Sequence, residues 1–175
     1  MSDILKAMEE RFSTRGYTEE KLTEEELNAL IRAGLQAPTA TNRQEIHITV
    51  VQGDNPILME IQEEMLKGTG KTPPQNFYYG APVLFLLSGE ESFGWTPVDA
   101  GIAVENIALA AEGLGLGNLI IGCIKKAMNG ERKAEFASRL KLPEGYAFEV
   151  AIAVGHKATA KAPHEYSFEK NVTIL

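Results

Sequence analysis

The chain has a single cysteine, Cys123, among its 175 residues. It therefore cannot close an intramolecular disulfide, and a reducing compartment, the cytoplasm, is its expected location. It also lacks a long hydrophobic run. Its apolar stretches, such as Ala81 to Leu87, stop far short of the roughly 20 residues that cross a bilayer, so no membrane partner is expected. The first residues include Asp3, Glu9 and Glu10 and no long apolar core, which is not the pattern of a secretory signal. Positive charge is scarce. Seventeen Lys and Arg against 24 Asp and Glu give −7, which repels phosphate backbones and excludes a general nucleic-acid binder. There is no Cys-x-x-Cys, and His47, His156 and His164 show no metal-ligand spacing, so no metal is expected. No repeat, low-complexity tract or linker divides the sequence, and residues 1–175 read as one domain.

What is present is a mixture of helical and strand patterns. Ser2 can cap a first helix carrying Ile4, Leu5, Met8 and Phe12. Thr23-Glu24-Glu25-Glu26 forms a capping box before Leu27, Leu30, Ile31 and Leu35, and Pro38 ends that helix. Ile46 to Val51 reads as a strand, and Asn55-Pro56 opens a helix with Leu58, Ile61 and Met65. Residues 67–80, rich in Gly, Pro and Tyr, form a loop. Pro82 to Leu87 has the composition of a buried strand. Thr96-Pro97 starts an Ala-rich helix to about Leu114, apolar enough to be buried nearly all round, in a core or a subunit interface. Leu119 to Ile121 and Tyr146 to Val154 read as strands, with an amphipathic helix from Glu131 to Leu140 between them. The tail from 157 to 175 has no helical period, and its last four residues form another candidate strand. Strands interleaved with helices, without strict alternation, predict an α+β fold.

Two glycine-rich motifs fail on context. Gly68-Thr69-Gly70-Lys71-Thr72 has Met65 where a phosphate loop needs glycine, and it follows a helix rather than a strand. Gly113-Leu114-Gly115-Leu116-Gly117 leaves a helix and enters a strand, the reverse of a dinucleotide fingerprint, and reads as helix-capping glycine. Cys123, after an apolar strand, reads as a buried thiol.

Two clusters carry more weight. Arg11-Phe12-Ser13-Thr14-Arg15 packs two guanidiniums and two hydroxyls into five residues, suited to a phosphate monoester if a helix end brings Arg11 and Arg15 together. The alternative is a solvated basic helix end. Ala37-Pro38-Thr39-Ala40-Thr41-Asn42-Arg43-Gln44 is polar, follows a helix and precedes a strand. Its hydroxyls and amides can serve the edge of a heterocycle, or form an ordinary polar loop.

Together with Gly80-Ala81-Pro82-Val83, the helix from Asp99 to Asn106, Leu114 to Gly117, Ile121-Gly122 and Val154-Gly155, in this order, these clusters resemble the nitroreductase family of flavin mononucleotide (FMN) oxidoreductases along nearly the whole chain. The resemblance implies a central, mostly antiparallel sheet flanked by helices, in a homodimer with flavin sites at the interface and an exchanged C-terminal tail. It implies that Arg11, Ser13 and Arg15 grip the FMN phosphate and ribityl chain. Pro38, Thr39, Ala40, Asn42 and Gln44 would line the flavin from the second subunit, and Ile121 and Gly122 would run beside its ring. The family's tail commonly supplies basic residues to the phosphate, and Lys161 and His164 stand in that region. The implied reaction passes hydride from NADH or NADPH through flavin N5 to a small acceptor such as a nitroaromatic or quinone, by a ping-pong mechanism. It requires no side-chain acid or base, so no catalytic residue is named. A flavin carrier with little turnover and a specialised branch of the family are the alternatives. The chain departs from the family pattern at Glu45-Ile46, where Pro-Trp is common; this removes an aromatic wall and puts a charge nearby. The chain is short for the family, which implies a small lid from residues 67–80, with Phe93 and Trp95 as further candidates.

Overall fold

A computed structural model describes residues 3–73 and 75–175. In chain order the elements are α1 (Asp3–Glu10), α2 (Glu24–Leu35), β1 (His47–Gln52), α3 (Ile57–Leu66), β2 (Val83–Glu90), α4 (Thr96–Gly113), β3 (Leu116–Ile121), α5 (Lys125–Met128), α6 (Lys133–Arg139), β4 (Tyr146–His156) and α7 (Phe168–Asn171). A single 3-10 turn, Ala40–Asn42, lies between α2 and β1. The four strands form one antiparallel sheet in the order β1-β2-β4-β3. The α+β reading holds.

The strand pattern builds a layer on each face of the sheet. Along β2, Leu84 and Leu86 point to one layer, while Val83, Phe85 and Leu87 point to the other. The first layer is closed by Leu58 and Ile61 of α3 and Phe136 of α6. The second is closed by Leu30 of α2 and Ile107 and Ala111 of α4. On β4 a register shift opposite Leu87/Ser88 changes the parity, so Phe148 and then Ala151 and Ala153 serve the same layer. Each fully buried Leu, Ile or Phe contributes about 1.5–3 kcal/mol, so this three-layer core outweighs any surface contact in the molecule.

The helix ends follow local chemistry. The Thr23 Oγ1 accepts from the Glu26 backbone N–H, and Glu26 accepts from the Thr23 N–H at 2.7 Å, the expected capping box. Gly115, at φ +77°, ends α4 in the left-handed conformation and turns the chain into β3.

Several expectations change. Ser2 lies outside the described residues. The α4 helix is not buried all round: Asp99, Ala100, Ala103, Val104, Ile107, Ala108 and Ala111 face the core, but Val98 (49% exposed) and Ile102 (37%) face outward. The helix placed at 131–140 begins at Lys133, and the short α5 precedes it. The tail forms the single turn α7, where no helix was expected, and no strand at its end; every residue from 158 to 175 is exposed. The tail lacks buried apolar partners, so its Val and Ile pattern finds no neighbouring strand to pair with.

Candidate functional site

A cavity of about 700 Å³ opens between the β3 edge of the sheet and the loop after α3. Leu119, Ile120, Ile121 and Gly122 supply its sheet wall, Met65 and Leu66 its helix wall, and Lys71, Thr72, Gln75, Phe77 and Tyr79 its outer wall. Arg15 stands at its rim. The loop 67–80 thus covers the cavity as expected of a small lid, whereas Phe93 and Trp95 do not line it. Gly122 has no atom within 4 Å of where a Cβ would stand, so the space beside the end of β3 stays open. The volume lies within the 300–1,000 Å³ typical of cofactor-sized pockets, and the lining is mostly apolar.

The segment from Arg11 to Tyr17 is not a helix end. α1 stops at Glu10, and the chain then runs extended along β3. Ser13 bridges to Asn118, the Thr14 N–H donates to the Asn118 carbonyl at 2.8 Å, and Tyr17 bridges to Lys157. Alternation along this strip buries Thr14 completely and leaves Arg11, Ser13 and Arg15 on the accessible side. The three are brought together by strand period rather than helical period. Gly117 permits the close approach: a Cβ there would meet Thr14 Cγ2 at 2.7 Å. Arg11 donates to Asn118 Oδ1 at 3.3 Å, and Asn118 in turn donates to the Ala108 carbonyl of α4 at 3.1 Å. The Arg15 guanidinium lies 5.8 Å from the Tyr79 ring centre. Arg15 and the pair Ile121 and Gly122 therefore meet at one cavity, with Arg11 and Ser13 on the adjoining strip.

The loop holding Pro38, Thr39, Ala40, Asn42 and Gln44 lies elsewhere. It leads into β1, at the sheet edge opposite β3, about 14 Å away across three strand spacings. It also packs at the start of α4, whereas the Arg11 strip is tied to Ala108 further along that helix. Asp99, 2% exposed, accepts from the Ala40 N–H with both carboxylate oxygens, at 3.1 and 3.0 Å. Thr39 Oγ1 accepts from the Gln44 N–H at 2.9 Å. Thr41, Asn42 and Gln44 all have φ near +55°. Glu45, expected to place a charge nearby, is instead 7% exposed and turned into the fold. Asp99 and Glu45 were not among the sequence candidates; the only available signal was the break from the usual residue at position 45.

Lys161 and His164 are exposed in the tail and do not line this cavity. Lys157 is committed elsewhere, to Glu112 at 2.6 Å. Cys123, read as buried, is exposed at the cavity rim. Partial burial of its sulfur still pushes the thiol above its ordinary value, which disfavours the reactive thiolate. No His, Cys, Asp and Glu group suited to a metal occurs among the described residues, and no described helix is long and apolar enough to cross a membrane.

The family model for the nitroreductase family matches residues 8–156. A nitroreductase with bound FMN from Desulfitobacterium hafniense DCB-2 is 32% identical, with a TM-score of 0.89 over 100% of this chain and 99% of that one. A nitroreductase with bound FMN from Bacteroides fragilis NCTC 9343 is 25% identical, also at TM-score 0.89, over the full length of both. In sequence, an FMN reductase [NAD(P)H] from Bacillus subtilis (strain 168) is 29% identical over 93% of this chain and 70% of its own length.

Proposed function

The chain belongs to the nitroreductase family, and we propose that within it the chain works as an FMN-dependent NAD(P)H oxidoreductase. The acceptor is a small molecule such as a nitroaromatic or a quinone, reduced by a ping-pong sequence in which nicotinamide leaves before the acceptor enters. The observation that carries this reading is the cavity of about 700 Å³ with guanidinium at its rim and an apolar sheet wall ending in Gly122.

The residues present fit FMN. Arg15, with Arg11 and Ser13 on the adjoining strip, offers charged donors for the phosphate and ribityl chain. Leu119 to Gly122 give the flat ring an apolar wall and leave one face open to a stacked partner. When bound, FMN supplies the two-electron chemistry, taking hydride from NADH or NADPH and giving it up to the acceptor. The protein's part is to hold the ring, exclude water from one face and admit the substrates in turn. Side-chain acid–base chemistry is not assigned to any residue.

The placement of the second group supports a site shared between two subunits. Pro38, Thr39, Ala40, Asn42 and Gln44 stand at the opposite sheet edge from Arg15, about 14 Å across the strands, which supports their lining the ring of a partner copy. A second copy supplies them, along with Lys161 and His164 of its exposed tail. Val98 and Ile102 on α4 and Ile4 and Met8 on α1 form the apolar surface for that copy. The test is the absorption spectrum of the purified protein, followed by anaerobic titration with NADH and with NADPH. Flavin absorption that bleaches with either coenzyme and returns with an acceptor is expected. A preparation that fails to bind added FMN overturns the reading, and one that binds FMN but never bleaches makes it a carrier.

A further inference from the structure

Glu45 and Asp99 form a buried carboxyl pair that the proposed chemistry does not use. Glu45 is 7% and Asp99 2% exposed. Asp99 spends its oxygens on the Ala40 N–H. Neither Glu45 oxygen has a hydrogen-bond partner. Two ionised carboxylates are acceptors only, so they cannot bond to each other until one carries a proton. The charged groups acting on Glu45 are Asp99 from α4 and Arg43 from its own loop, and Arg43 is drawn away by Glu90 of β2 and lies 4.3 Å from the Phe93 ring centre.

The loop beside this pair is strained. Thr41, Asn42 and Gln44 sit in the left-handed region, which non-glycine residues occupy only where neighbours hold them. Besides its internal turn bonds from the Asn42 N–H to Thr39 and the Arg43 N–H to Ala40, the loop is held by the Asp99 bond to Ala40 and the Thr39 bond to Gln44, the residue just before Glu45.

We propose that Glu45 and Asp99 share one proton, that this proton latches the 39–44 loop in its strained conformation, and that its loss to solvent releases the loop. Glu45 is thus a positioning residue. Protonated, it donates to Asp99, which stays aimed at Ala40. Deprotonated, it leaves two like charges side by side in the core, and the strained loop gives way first. Burial, and then the Asp99 carboxyl beside it, raise the Glu45 carboxyl, while its own backbone N–H and, more weakly, Arg43 oppose. The sign follows from proton count. The latched fold holds a proton that the unfolded chain has lost, so latch strength falls as pH rises from 4.5 through the raised value. That the released loop weakens FMN rests on the function proposed above; the latch itself does not.

The experiment compares wild type with Glu45→Gln and Asp99→Asn from about pH 5 to about pH 9. The first readout is the hydrogen-exchange protection of the Ala40 and Gln44 amides without flavin, corrected for the intrinsic pH dependence of exchange. The second is the FMN dissociation constant. In wild type, protection should fall with rising pH and the constant should rise, by at most about tenfold per pH unit for one proton. Glu45→Gln, which donates to Asp99 at every pH, should flatten both curves. Asp99→Asn, which removes the neighbouring charge, should move the transition to lower pH. Loop protection that responds as described in a protein that binds no FMN keeps the latch and removes the proposed cofactor. FMN binding with the same pH profile in wild type and Glu45→Gln overturns the link between loop and cofactor, and loop protection independent of pH in wild type overturns the latch.

Discussion

The two edges of the sheet hold the two halves of the candidate site by different means. At the β3 edge, the Arg11 strip is held by backbone bridges to Asn118 and Lys157, with Arg11 donating to Asn118 and Arg15 facing outward. At the β1 edge, the 39–44 loop has three residues at positive φ and is held at Ala40 by the buried Asp99 carboxylate. The first half is a regular extension of the sheet and costs little to form. The second stores strain and depends on a tertiary partner 59 residues away from Ala40, Asp99. A charged anchor can be rigid, whereas a loop that lines one face of a ligand gains from being releasable.

The difference can be broken at the interface first. Ile102→Glu puts a charge on the exposed face of α4, where the second copy is proposed to pack. It should give a monomer in sedimentation and weaken FMN binding by roughly thirtyfold or more, since both halves are then never in one place. A monomer with full FMN affinity would assign both edges to one chain. Next comes the rigid half. Arg15→Ala should lower FMN affinity about ten- to a hundredfold, the value of a charge-assisted bond to phosphate. Arg15 is exposed, so unfolding in denaturant should change by less than about 0.5 kcal/mol. Early melting with wild-type affinity would make Arg15 structural.

The strained half is sharpened by Thr41→Gly. Glycine removes the penalty of φ +55° on a β-branched residue, and the fold should gain about 1 kcal/mol in denaturant unfolding. A loss of stability would show that Thr41 earns its place by contacts instead. The smallest effect is expected in the tail. His164→Lys sets a permanent charge there and should tighten FMN two- to tenfold at about pH 8, where lysine is fully charged. An unchanged constant would leave the tail outside the site.

The same contrast explains what could be read from the sequence. The capping box at Thr23, the stop before Pro38, and the apolar runs of β2 and β4 rest on neighbours in sequence, and they appear as expected. Arg11, Ser13 and Arg15 were legible as a cluster, but the period that unites them was not. Whether residues 11–17 extend along a strand depends on an edge that Gly117 leaves open. The exposed face of α4 was hidden because Ala, Val and Ile read alike whether they meet a core or a second copy. Glu45 was legible only as a departure from pattern. Its burial beside Asp99 comes from the start of α4 meeting the loop that leads into β1, and no local spacing encodes that meeting.

On the proposed arrangement, each flavin site takes one half from each subunit. The direct measurement is FMN stoichiometry in mixed dimers of Arg15→Ala chains with chains carrying both Asn42→Ala and Gln44→Ala. Each homodimer alone should bind FMN poorly. If the halves come from different subunits, a mixed dimer gathers all the defects into one site and leaves the other intact, and tight binding returns at half the wild-type stoichiometry. If mixing restores no tight binding, each chain carries its whole site and the shared-site account is wrong.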